Sequence, residues 1–277
     1  MYGIIGAVIG DIAGSLYESF NNPSKPKEGF KLITSASCAT DDTMCTAAIA
    51  YWLLTDPSNK DCLIDSLHEF CLHGYGGGFG GMFLRWLKTG SREPYGSFGN
   101  GAAMCVSPVG WFGESAEEVA ALAEDSALVT HNHPDAIKSA QAVALAIYLA
   151  RTGKSKEYIR EHLEEFAGYD LHSKSVEELS EYYRFDCTAK GSVPYSIQCW
   201  LESDTYEEAI RKAIMMGGDT DTMACIAGSI AAATPGMEVD YTLVDQAINI
   251  ASWPENGNQI IDTINKFNER FVFNKIS

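Results

Sequence analysis

Basic residues are scarce in this chain: 20 lysines and arginines stand against 37 aspartates and glutamates over 277 residues, a formal charge of −17. No basic run offsets that field, so the sequence argues against a nucleic-acid partner and against an anionic membrane surface. The eight cysteines, at 38, 45, 62, 71, 105, 187, 199 and 225, are scattered, with no Cys-x-x-Cys pair. They give no sign of a disulfide framework or a zinc cluster and point to a reducing, cytoplasmic setting. The opening Met1-Tyr2-Gly3-Ile4-Ile5 has no basic stretch and Asp11 interrupts the apolar run, so neither a signal peptide nor a membrane span is expected. Alternating strand patterns are nearly missing, apart from a few residues around Lys31, Leu32 and Ile33.

What is present is helical, and the reading is an all-α protein of one domain over residues 1–277. Ser115 with Glu118, Ser175 with Glu178 and Asp204 with Glu207 have capping-box spacing ahead of amphipathic runs. Pro134 suits the first turn of a buried, alanine-rich helix that stops near Gly153. In the first helix Gly6, Gly10 and Gly14 recur at four-residue steps, leading on to Glu18. Each glycine costs about 1 kcal/mol against alanine, so another backbone must approach that face closely. Glycine-rich loops cover residues 74–81 and 95–101, exposing backbone amides beside aromatics.

Two acidic clusters, Thr40-Asp41-Asp42-Thr43 and Gly217-Gly218-Asp219-Thr220-Asp221-Thr222, each open a helix. Helix capping would explain one such side chain per helix, but four carboxylates exceed that need. If the fold joins the clusters, carboxylates about 4 Å apart repel by roughly 4 kcal/mol at an effective dielectric of about 20. Bound cations or shared protons would relieve this, and an all-oxygen donor set favours magnesium or manganese over zinc. Asp219 and Asp221 would point about 200° apart on a regular helix, so they share an ion only from a curved segment ahead of it, which Gly217-Gly218 permits.

These residues, together with Gly6-x3-Gly10-Asp11-x2-Gly14-x3-Glu18, Gly99-Asn100-Gly101-Ala102-Ala103-Met104 and Thr130-His131-x-His133-Pro134, resemble the ADP-ribosylglycohydrolases over nearly the whole chain. The resemblance implies a compact orthogonal helical bundle holding two magnesium ions, replaceable by manganese, over a cleft for ADP-ribose. It implies Thr40, Asp41, Asp42, Asp219, Asp221 and Thr222 as metal ligands, one aspartate of the second cluster bridging both ions. Gly96, Ser97, Phe98, Gly99, Asn100 and Gly101 would wrap the diphosphate and distal ribose, and His131 would be a polar contact. Where many relatives have arginine after the methionine, this chain has Cys105, which leaves any salt bridge or phosphate contact there without its cation.

The implied reaction is hydrolysis at the anomeric carbon of the distal ribose, releasing mono-ADP-ribose from a modified protein or small molecule. Asp41, Asp42 or Glu18 would act as general base or acid, with arginine preferred over serine as the modified side chain. Alternatives from other classes are an ADP-ribose-binding module with weak turnover and an all-α, magnesium-dependent diphosphate lyase. The lyase would need a carboxylate where this chain has Cys45.

Overall fold

The computed structural model describes residues 2–18, 25–72, 77–253 and 255–273. Helices are the regular elements among them. In chain order these are α1 (Ile5–Gly14), α2 (Asp41–Thr55), α3 (Lys60–Leu72), α4 (Gly81–Thr89), α5 (Gly101–Met104), α6 (Ser107–Phe112), α7 (Ala116–Leu128), α8 (Pro134–Arg151), α9 (Lys156–Ala167), α10 (Val176–Tyr182), α11 (Ala189–Leu201), α12 (Tyr206–Met216), α13 (Thr220–Ala233), α14 (Tyr241–Ala251) and α15 (Gly257–Phe271). The residues around Leu32 form no strand; one isolated bridge pairs Gly99 with Thr188.

The centre is α13, buried from end to end and packed against α1, α11, α12 and α8. Its partner α1 is equally buried, and the glycine stripe explains their fit. A Cβ at Gly6 would stand 2.3 Å from the Ala232 side chain, at Gly10 2.1 Å from the Ala224 carbonyl oxygen, and at Gly14 2.2 Å from that of Thr220. The Thr220 hydroxyl then donates to the Gly14 carbonyl at 2.8 Å, locking the register of the pair. At the other end of α1, which has no side-chain cap of its own, the Ile4 N–H donates to Asn268 Oδ1 of α15 at 3.1 Å. Gly10→Ala is therefore expected to destabilise the fold by about 3 kcal/mol through overpacking, measurable by urea denaturation.

The caps follow the local chemistry with one shift. Ser175 and Glu178 make a full capping box, and the Ser115 hydroxyl accepts from the Glu118 N–H. For α12 the cap is Thr205, not Asp204: its hydroxyl accepts from the Glu208 N–H at 3.1 Å, while Glu208 accepts from the Asp204 N–H. Both spacings satisfy the capping rule. Burial of Tyr206, Ala209, Ile210, Ala213 and Ile214 sets the phase that selects the later one. Pro134 starts α8 as expected, behind His133, whose Nδ1 accepts from the Asp135 N–H.

Candidate active site

The start of α2 and the start of α13 meet beside the end of α1. Asp11, on α1 and fully buried, accepts from the Thr40 N–H at 3.0 Å, the Thr40 hydroxyl at 2.7 Å and the Thr43 N–H at 3.2 Å. The Thr43 hydroxyl also donates to it. One carboxylate thereby holds the first turn of α2, while the glycine contacts hold its own helix on α13. The two acidic clusters, about 180 residues apart in sequence, acquire their relative position from this arrangement.

Two groups of carboxylates result, each with oxygens within 4.8 Å of one another: Asp11, Asp42 and Asp221, and Glu18, Asp219 and Asp221. Asp221 belongs to both. Gly217 and Gly218, at φ 84° and 79°, bend the chain so that Asp219 stands ahead of α13 and Asp221 within it, which brings the two side chains together. Asp219 sits at the cap position of α13 yet makes no capping hydrogen bond; its Oδ2 accepts instead from Asn100 Nδ2 at 2.6 Å. Thr40 does cap α2 and lies 3.2 Å from Asp42 Oδ2, and the Thr222 hydroxyl lies 3.5 Å from the same oxygen. Asp41 faces the cleft, so close to Gly78 that a Cβ there would meet its Oδ1.

Burial raises the whole set, and repulsion from neighbouring carboxylates adds to it in all but Asp221. Asp11 is pushed up to about 7 by burial and by Asp221, against the lowering effect of the Thr43 and Thr40 donors. Glu18, half-buried, also rises to about 7, from burial and from Asp221 and Asp11. Asp41, Asp42 and Asp219 stand well above the usual carboxylate range, with burial the leading cause in each. Burial raises Asp221 too, opposed by hydrogen bonding from Asp219 and the Thr222 N–H.

Such a cluster wants positive charge, and one atom shows where. Among the described residues the buried Asp42 Oδ1 has no hydrogen-bond partner, which in a fully buried carboxylate leaves a strong acceptor unmet. Carboxylate oxygens within 4.8 Å of one another, flanked by the Thr40 and Thr222 hydroxyls, fit hard divalent cations.

Over the carboxylates lies a cleft of about 340 Å³. Glu18, Asp41, Asp219 and Asp221 form its acidic floor, and Ile49, Leu67, Met82, Phe83, Met104 and Cys105 an apolar wall. Among the described residues its lining has no lysine or arginine. Ser97, Phe98, Gly99, Asn100, Gly101 and His131 all line it, whereas Gly96 does not and supplies the left-handed turn (φ 70°) that starts the loop.

The loop is pinned from behind. The Asn100 N–H donates to the Cys187 carbonyl and the Ala189 N–H to that of Phe98, each at 2.9 Å, while the Phe98 ring stays exposed beside His133. His131 packs under Gly101, where a Cβ would come within 2.9 Å of its Nε2, and burial lowers its pKa to about 4 so that it stays neutral. Gly78, Gly80 and Gly81 also line the cleft; residues 74–76 of that loop lie outside the described residues. Asn100→Ala removes the one side-chain donor on Asp219 among the described residues and is expected to weaken magnesium binding about ten- to a hundredfold without unfolding, read by calorimetric titration.

Asp11, which the sequence offers as a charge within an apolar helix and as part of the glycine motif but not as a predicted site residue, and the Asn100 to Asp219 bond are additions made by the structure. The signal for Asp11 was its place between Gly10 and Gly14, on the helix face that meets α13.

Comparison with known proteins identifies the family of the chain. The family model described as ADP-ribosylglycohydrolase matches residues 2–246. The ADP-ribosylhydrolase ARH3 of Mus musculus is 28% identical, the match covering 85% of this chain and 83% of that protein. The ADP-ribosyl-[dinitrogen reductase] glycohydrolase of Rhodospirillum rubrum is 28% identical over 56% of this chain and 53% of its own. A solved structure described as an ADP-ribosylglycohydrolase-related protein complex has the same fold, with a TM-score of 0.66 over 96% of this chain and 95% of that one, at 21% identity.

Proposed function

This chain belongs to the ADP-ribosylglycohydrolase family and is a glycohydrolase, and from that premise we propose that it removes single ADP-ribose units from modified arginine side chains in a magnesium-dependent reaction. Residues 1–277 act as one domain in this reading. Thr40, Asp41, Asp42, Asp219, Asp221 and Thr222 would hold two ions, magnesium or manganese in its place, and Asp221, which belongs to both carboxylate groups, would serve both. The observation that carries it is the shared position of Asp221 in two carboxylate groups, next to a buried Asp42 oxygen with no partner.

When bound, the ions supply positive charge that orients the ribose hydroxyls and acidifies water. The rest falls to the chain. The loop of residues 97–101 closes over the diphosphate, to which the cleft lining offers no lysine or arginine, while the Asn100 amide stays committed to the Cys187 carbonyl. Phe98 covers the sugar or base, and neutral His131 offers a polar contact beneath the loop. Asp41 and Glu18, which line the cleft, are the groups that would handle protons, removing one from the attacking water and returning one to the leaving group, while Asp42, fully buried and off the cleft lining, is left to the ions. Of the two, Glu18 is half-exposed to the cleft, which lets it exchange protons with solvent.

Arginine is taken ahead of serine as the leaving side chain, a choice that the floor does not make, because its carboxylates are neutralised once the ions are bound. The test is a mass-spectrometric time course of ADP-ribose release from arginine-modified and serine-modified peptides, with magnesium and with excess EDTA. Magnesium-dependent release from the arginine peptide is expected. Release from the serine peptide alone would overturn the linkage, and release unaffected by EDTA would overturn the metal dependence.

A further inference from the structure

Between α10 and α11 the chain runs as a strap, residues 183–188, that closes one side of the cleft with Phe185, Cys187 and Thr188. Its first residue, Tyr183, ends α10 with its N–H on the Leu179 carbonyl at 3.0 Å and leaves the helix in an extended conformation. The Arg184 guanidinium fixes that exit by donating to the Tyr183 carbonyl at 2.7 Å. The strap bears on the turn ahead of α13. A Cβ at Gly218 would stand 2.9 Å from Tyr183 Cε1 and 3.1 Å from the Phe185 Cα, so the ring edge next to the hydroxyl lies against the residue that leads into Asp219. Further along, the Cys187 carbonyl takes the Asn100 N–H, and Asn100 Nδ2 reaches the Asp219 carboxylate. The same strap thus supports Asp219 at both of its ends.

The Tyr183 hydroxyl takes no part in the hydrogen bonding of the described residues. Tyr183 is only 7% exposed, Tyr195 offers it the edge of a ring at 5.2 Å, and its buried Oη has no hydrogen-bond partner among the described residues. An unmet buried hydroxyl costs free energy that a phenylalanine in the same space would not. Burial, and then Asp219, holds the phenol above its ordinary value, so it stays protonated and able to donate. Each carboxylate group therefore has one buried atom beside it without a partner. In the group of Asp11, Asp42 and Asp221 it is an acceptor, Asp42 Oδ1, and at the turn of Asp219 it is a donor, Tyr183 Oη.

We propose that Tyr183 is a positioning residue for the ion of the Glu18, Asp219 and Asp221 group, its hydroxyl donating to an oxygen of that ion's coordination shell. Carboxylates that bind metals are themselves hydrogen-bonded from behind, and magnesium keeps several of its waters, so such a shell has oxygens for a donor. The ring meanwhile holds Gly218 in its left-handed turn, which sets Asp219 ahead of α13. This role rests on the magnesium reading proposed above.

The experiment is a calorimetric titration of the full-length chain with magnesium chloride, together with melting temperatures in EDTA, for the wild type, Tyr183→Phe and Tyr195→Phe. Tyr183→Phe is expected to bind magnesium about tenfold more weakly, the scale of removing a group behind a metal ligand. Freed of an unmet hydroxyl, it should also melt about 2–4 °C higher in EDTA. Tyr195→Phe should keep the wild-type affinity. A tyrosine that only fills space would not give weaker binding together with a more stable metal-free protein. Wild-type affinity in Tyr183→Phe would overturn the role, and an equal loss in Tyr195→Phe would assign the effect to the packing of the ring pair instead. A lower melting temperature of Tyr183→Phe in EDTA would also overturn it, because the hydroxyl would then be bonded within the fold. A wild type that binds neither magnesium nor manganese would refute the metal reading itself, and this role with it.

Discussion

Asp221→Asn is expected to cost about a hundredfold in magnesium affinity, with a matching fall in turnover, and yet to make the metal-free protein more stable than the wild type. Asp221 is the carboxylate common to both groups, each within 4.8 Å. At that separation each ionised pair repels by roughly 3 kcal/mol at an effective dielectric of about 20. Asparagine keeps the shape and the acceptor for the Thr222 N–H and removes the charge. With about 2–4 °C gained per kcal/mol in a protein of this size, the melting temperature in EDTA should rise by roughly 5–10 °C. The wild type should regain the advantage once magnesium is added. A variant less stable than the wild type in EDTA, with its magnesium response intact, would mean that Asp221 supports the fold and not the ions.

The second large effect is the dependence of stability on pH. A carboxyl whose pKa is higher in the folded state holds its proton more tightly there, so the stability it contributes is fully present below the unfolded value and lost as pH rises through the folded one. For Asp11 that window runs from 3.8 to about 7, and for Glu18 from 4.5 to about 7. Asp41, Asp42 and Asp219 are shifted in the same direction. His131 opposes them, since its lowered pKa disfavours the fold as pH drops from 6.5 toward about 4, but it is one group against several. In EDTA the melting temperature should therefore fall between pH 4 and 7, by about 10 °C if a few kcal/mol are lost. The rise produced by magnesium should grow over the same interval, because cations bind the deprotonated carboxylates. A magnesium effect equal at pH 5 and pH 8 would contradict this.

Much of this was legible in the residues because the signals were local or strictly periodic. The glycine stripe of α1 demanded a close backbone partner, and α13 is that partner. Gly217-Gly218 ahead of two aspartates required a curved segment, and both glycines have positive φ. What stayed hidden depended on meetings between distant segments. Asp11 looked like an interruption in an apolar helix, because nothing local says that the start of α2 will bring it four donors. The Asn100 to Asp219 bond spans 119 residues, and the apolar wall draws Ile49, Leu67, Phe83 and Met104 from four different helices. The cap of α12 was misplaced by one residue because two overlapping motifs satisfy the same rule, and burial, not capping, chose between them.

The central claim is that two acidic clusters from opposite parts of the chain jointly hold two cations through a shared aspartate. Its most direct test is the anomalous scattering of crystals soaked in manganese. Two peaks a few ångströms apart are expected, both bonded to Asp221, with the Asp42 Oδ1 that has no partner taken up by one of them. A single peak, or peaks that leave Asp221 uncoordinated, would contradict the account.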